Sequence, residues 1–197
     1  DEPEGSAKFI AAVFRSGAVR DATMKLLNQR DGLMIGICNG FQALVKLGLL
    51  PYGEIRDLQE DHPTLTYNRI GRHVAQYVHT RVSSLHSPWL AGLELGQVHA
   101  IPVSHGEGRF VASSAWLDRL AQNGQIAFQY CDRDGKPART EPDNPNGSAW
   151  AVEGILSPDG RILGKMGHSE RIGPLLAQNV PGDKDEKLFV SGVNYFR

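Results

Sequence analysis

Gly36-Ile37-Cys38-Asn39-Gly40 carries the clearest chemistry in the chain. The residues before the cysteine, Leu33 to Ile37, form a continuous apolar run, the pattern of a short strand buried on both faces. Phe41 to Leu47 then has helical spacing, with Gly48 as its stop and Pro51 beyond. A cysteine between such a strand and such a helix stands exposed on a sharp turn above the sheet edge. Small residues two places before and after it let the backbone turn that tightly. The helix N-terminus brings partial positive charge and N–H groups to the sulfur, which predicts a thiolate, the reactive form. The Asn39 N–H faces the position of a developing oxyanion. The competing reading of a lone cysteine after a buried strand is a small core residue. Cys131, at a strand end beside Asp132 and without such a frame, is assigned to that role.

A cysteine nucleophile needs a base, and the base needs a group to orient it. The chain has seven histidines. His62, His73, His79 and His86 lie in polar stretches without a frame, and His99 lies inside a predicted strand. His105 and His168 each follow a predicted strand and sit among glycines. Glu170 stands two residues after His168, and in an extended segment such neighbours point the same way. That carboxylate is therefore positioned to hold the imidazole.

The 197 residues suit one domain with a sizeable core, and 41% apolar with 22% charged residues is a globular composition. A net charge of -1 argues against a protein that grips nucleic acid through its phosphates. No apolar run approaches membrane-spanning length. Two cysteines make no disulfide framework, which points to a reducing, cytoplasmic setting, and the His and Cys spacing makes no metal site. An N-terminal helix with Phe9, Ile10, Val13 and Phe14 on its apolar face and a second from Ala18 to Asn28 precede the cysteine strand. Strands are expected over Val74–Val82, Gln97–Val103 and Gln125–Tyr130, a Ser-capped helix over Ser114–Ala121, and a hairpin from Ala149 to Met166. Cys131 to Gly147 is a long Pro- and Gly-rich loop. Helix, buried strand, turn and helix is the rhythm of an α/β sheet.

Taken together the motifs are more specific. Gly36-Ile37-Cys38-Asn39-Gly40-Phe41-Gln42 resembles the nucleophile motif of class I (triad) glutamine amidotransferases. Its Cys-Asn-Gly-x-Gln form is similar to the glutaminase part of phosphoribosylformylglycinamidine synthases. His105-Gly106-Glu107-Gly108-Arg109-Phe110, Asn144-Pro145-Asn146-Gly147-Ser148 and Gly167-His168-Ser169-Glu170-Arg171 resemble further signatures of that branch, in the same order. Ser169 departs from it, standing where Pro is usual, and so does Phe41, where a small or polar residue is commoner.

The resemblance implies a flavodoxin-like α/β fold with a largely parallel central sheet and helices on both faces. It implies one amidotransferase domain over residues 1–197. Cys38, His168 and Glu170 would be catalytic, while Asn39, Gln42, His105, Gly106 and Glu107 would hold glutamine. No metal or cofactor is expected in this domain, whereas ATP and Mg2+ would serve a separate synthetase portion. The segments Asp1–Ile10 and Phe189–Phe196 look like those of single-chain bacterial forms, so the chain reads as the C-terminal piece of a longer enzyme. The family's first strands, and the Pro-Gly-Gly loop that supplies an oxyanion N–H, would then precede Asp1. Ammonia from glutamine would convert formylglycinamide ribonucleotide to its amidine in purine biosynthesis. Another cysteine-elbow hydrolase or peptidase, or an inert docking module, remains as the alternative.

Overall fold

The structure is a computed structural model, and residues 6–197 are described. Among the described residues, six α-helices, α1 (Ser6–Arg15), α2 (Gly17–Gln29), α3 (Asn39–Leu47), α4 (Leu49–Tyr52), α5 (Ser114–Gln122) and α6 (Leu188–Asn194), accompany eight strands. These are β1 (Met34–Ile37), β2 (Thr64–Tyr67), β3 (Val74–Val82), β4 (Val98–His105), β5 (Glu107–Val111), β6 (Ile126–Cys131), β7 (Val152–Leu156) and β8 (Ile162–Lys165). The main sheet runs β1-β8-β7-β6-β3-β4, and β2 pairs with β5 in a separate ribbon.

The α/β class matches expectation, but the strand sense does not. Only β1 and β8 pair in parallel; the other neighbours in the main sheet are antiparallel. The reason is connection length. β7 and β8 are joined by the short Ser157–Gly160 turn, which can only return the chain alongside itself. The sheet also curls until β4 meets the segment beyond β8: the His168 N–H donates to the Pro102 carbonyl at 2.9 Å.

Alternate residues of β8 enter different cores, as strand geometry requires. Ile162 joins α1, α3 and α5 residues around Phe41, Leu44 and Leu120. Leu163 joins Leu90, Phe128 and α6's Leu188 on the other face. The first helix is rotated from its expected phase. Ala7 and Ala11 are buried and Phe14 packs on the core, whereas Phe9 is 76% and Val13 56% exposed. Small alanines let α1 approach α3 closely, and that contact sets the rotation. β5 alternates in burial and not in hydrophobicity: it buries Gly108 and Phe110 while Glu107 and Arg109 are half-buried.

An ionic cluster lies inside this framework. Lys165 Nζ, fully buried, is 2.5 Å from Glu186 Oε2 and 3.7 Å from Glu153 Oε1. Burial raises the Glu153 carboxyl, Lys165 pulls against that rise and Glu186 adds to it, for a result of about 7. Burial works to lower the Lys165 ammonium, but the two carboxylates outweigh it and raise it. A carboxyl whose folded value lies above its ordinary 4.5 stabilises the fold at low pH, and that contribution is lost as pH rises through 7. Glu153→Gln should therefore gain stability relative to the parent as pH rises from 4.5 to 8. Denaturant unfolding of both proteins at the two pH values measures the difference, in which the buried histidines cancel. A pH-independent difference would contradict it.

Candidate active site

Cys38 is the turn between β1 and α3. Its N–H donates to the Lys165 carbonyl at 2.8 Å, and its own carbonyl accepts the first helical hydrogen bond, from Gln42 N at 3.2 Å. Its φ of 53° and ψ of −107° lie outside the regions a side chain normally allows. Such strain costs about 1–3 kcal/mol and is held by the surrounding structure. Gly36 is required, because a Cβ there would meet Gly40 backbone atoms at 2.7 Å. Gly40 faces open space, so sterics demand a glycine on one side of the turn only.

The parallel pairing of Ile37 with Lys165 puts the ends of β1 and β8 at one edge of the sheet. Cys38 and His168 both follow that edge, and β4 brings them together. The thiol donates to the Ser104 carbonyl at 3.7 Å, while His168 N–H uses the Pro102 carbonyl, two residues away on the same strand edge. Two strand residues span roughly 7 Å. His168 Nδ1 lies 2.6 Å from Glu170 Oε1, and its buried Nε2 has no hydrogen-bond partner. The His–Glu contact is made across a turn closed by Arg171 N–H donating to the His168 carbonyl, not along an extended strand. The pairing expected from the sequence is present, by a different geometry.

The expected thiolate is not what the site favours. Cys38 is buried, at 3% exposure, and desolvation raises its thiol above the ordinary 9.0. The Asn39 N–H and Arg171 pull it down without overcoming that burial. The helix end is present, but the low-dielectric surroundings outweigh it. Cys131, fully buried, is pushed up to about 12, first by burial and then by Asp132. Iodoacetamide labelling followed by peptide mass spectrometry should give a Cys38 rate that climbs through pH 9 without an earlier plateau, and little Cys131 reaction in the folded protein. A Cys38 plateau below pH 7 would restore the resting thiolate.

Most of the residues expected to hold glutamine serve first as struts. Gln42 is buried in α3, and its amide donates to the Glu107 carbonyl, tying the nucleophile helix to β5. The Gly106 carbonyl accepts from Asn68 N at 2.9 Å, and a Cβ at Gly106 would meet open space. The His105 ring is fully buried, 3.0 Å from Asn68 Oδ1, and desolvation lowers it to about 4. It lies against Gly108, where a Cβ would meet the ring at 2.7 Å. Asn39 opens α3 beside the sulfur. The Asn144–Ser148 signature is a brace: Asn146 donates to the Gly108 carbonyl at 2.7 Å, and Ser148 Oγ accepts from Phe110 N. Asn68 carries no local signal in the sequence, being a lone asparagine in a loop. A cavity of about 770 Å³ beside Lys136, Arg139 and Trp150 includes none of the expected site residues.

A family model for the CobB/CobQ-like glutamine amidotransferase domain matches residues 1–196. Phosphoribosylformylglycinamidine synthase subunit PurQ of Rhodospirillum rubrum is 38% identical over 164 residues, covering 80% of this chain and 65% of that one. The subunit PurQ of Symbiobacterium thermophilum is 36% identical over 184 residues, covering 91% and 71%. Among solved structures, PurLQS from Thermotoga maritima matches with a TM-score of 0.66 and 26% identity, covering 95% of this chain and 72% of that one. The chain thus spans less than two thirds of the Rhodospirillum relative's length, and 57% of the Aquifex aeolicus PurQ. With the strained cysteine turn and the imidazole at one sheet edge, this match over nearly every residue means that the chain belongs to the CobB/CobQ-like glutamine amidotransferase family.

Proposed function

We propose that this chain hydrolyses glutamine and supplies the ammonia to a phosphoribosylformylglycinamidine synthase, with Cys38, His168 and Glu170 as its catalytic residues. The single observation that carries the reading is the shared edge of β4, where the Ser104 carbonyl meets the thiol and the Pro102 carbonyl meets the His168 backbone. The raised thiol makes His168 necessary. Its Nε2 takes the thiol proton as sulfur attacks the side-chain amide carbon of glutamine. The Asn39 N–H, which already faces the sulfur, stabilises the oxyanion. The tetrahedral adduct collapses to a thioester as the imidazolium returns its proton to the leaving nitrogen, releasing ammonia. Water, deprotonated by His168, then cleaves the thioester to glutamate and restores the thiol. Glu170 holds the imidazole through Nδ1 in both steps.

Asn39, Gly106 and Glu107 line the approach to glutamine in this reading, with Gln42 and His105 shaping that wall from behind. The ammonia is used by a synthetase portion that binds ATP and Mg2+, in the same longer chain, in the cytoplasm; this chain forms one amidotransferase domain of that enzyme. Among the described residues, no helix is long and apolar enough to cross a membrane. The test is labelling by 6-diazo-5-oxo-L-norleucine, a glutamine-shaped electrophile. The adduct should appear on the Cys38 peptide, be absent from the Cys131 peptide, and be suppressed by glutamine. Equal labelling of both cysteines would favour an inert docking module.

A further inference from the structure

The backbone that carries His168 is fastened at every residue from 165 to 169. Met166 N–H donates to the Glu153 carbonyl at 3.0 Å, and Gly167 N–H to the Glu153 carboxylate at 2.5 Å. Gly167 cannot bear a side chain, since its Cβ would meet Glu153 Oε1 and Ile101 at 2.8 Å. His168 N–H is held by Pro102. The two remaining positions converge on one carboxylate. Lys165 Nζ donates to Glu186 Oε2 and, at 2.7 Å, to Ser169 Oγ, while the Ser169 hydroxyl donates to Glu186 Oε2. The other oxygen, Oε1, accepts from Thr80 on β3 at 3.2 Å. Glu186 is 1% exposed and comes from the segment before α6, outside the sheet.

We propose that Glu186 is a positioning residue for His168, fixing through Ser169 and Lys165 the turn that holds the imidazole beside the thiol. This rests on the reading that His168 serves Cys38 in glutamine hydrolysis. Ser169 lies between His168 and Glu170, so displacing it displaces both members of the pair. Hydrogen bonds to an ionised carboxylate are short and strong, and inside the protein they resist the small shifts a catalytic turn cannot tolerate. The position where the resembling family has Pro is here pinned by a hydroxyl.

Glu186→Gln keeps the shape and removes the charge. In the intact protein it should lower kcat for glutamine about 10–100-fold, with KM within about twofold, because a misplacement of about 1 Å can cost about 100-fold. Glu186→Asp should recover part of that loss. Ser169→Ala, a smaller change, should lower kcat in the same way and decides the matter if Glu186→Gln does not fold. The His168 Nδ1–H signal in a long-range imidazole NMR spectrum, assigned with His168→Asn, should move in both variants as the Glu170 contact loosens. A folded Ser169→Ala or Glu186→Gln protein with parental kcat and an unmoved imidazole signal overturns the proposal. If the parent itself hydrolyses no glutamine, the function reading falls instead; the imidazole signal then decides, a shift supporting the positioning role and no shift refuting it.

Discussion

Cys38→Ser should reduce glutamine hydrolysis about 10⁴-fold or more, the scale on which losing a nucleophile falls. The substitution is nearly isosteric, and the hydroxyl retains a donor for the Ser104 carbonyl. Stability should therefore stay within about 1 kcal/mol, as for an ordinary mild substitution. The loss is chemical: a hydroxyl is a poor nucleophile without a strong base, and the burial that already raises the thiol works against an alkoxide more severely. Glutamate release, measured beside a thermal melt, separates the two effects. Residual turnover above a few per cent of the parent in a folded protein would remove Cys38 from the chemistry.

His168→Ala comes next in size, with a loss of about 10²–10⁴-fold, the usual range for a positioned acid–base group. The imidazole does three jobs in the scheme, taking the thiol proton, protonating the leaving nitrogen and then deprotonating the hydrolytic water. His105 lies behind the wall with its ring enclosed. Added imidazole should restore part of the His168→Ala rate and none of the Cys38→Ser rate. The double variant should be no slower than Cys38→Ser alone, since residues acting as a unit are not additive. Glu170→Gln should cost less, because Glu170 is partly open to solvent, its side chain being 41% exposed, and water can replace some of its hold on Nδ1. Full turnover by His168→Ala without imidazole would refute the assignment of the base.

The part of the site that was legible in the sequence is the part governed by neighbours in the chain. Gly36 must be glycine because of Gly40's backbone four residues on, and Gly48 ends α3 in the left-handed conformation that a C-terminal glycine favours. His168 and Glu170 are close enough in sequence to meet in any compact turn. The strand at Val74–Val82 and the β7–β8 hairpin follow from alternation and turn residues for the same reason.

Tertiary structure decided the rest. The resemblance implied parallel pairing, yet four of the five neighbour pairs in the main sheet are antiparallel. Nothing near Cys38 announces that the Ser104 carbonyl, 66 residues away, will meet its sulfur. Gln42, Asn68, Asn146 and Glu186 gain their roles only from partners that folding brings to them.

The sequence alone determined a cysteine on a strained strand-to-helix turn and an imidazole paired with a nearby carboxylate, because backbone sterics act over a few residues. Which edge they share, and whether the thiol rests protonated, was decided only by the curl of the sheet and the burial it creates. Desolvation sums over every atom packed around the sulfur, and most of those atoms come from elsewhere in the chain.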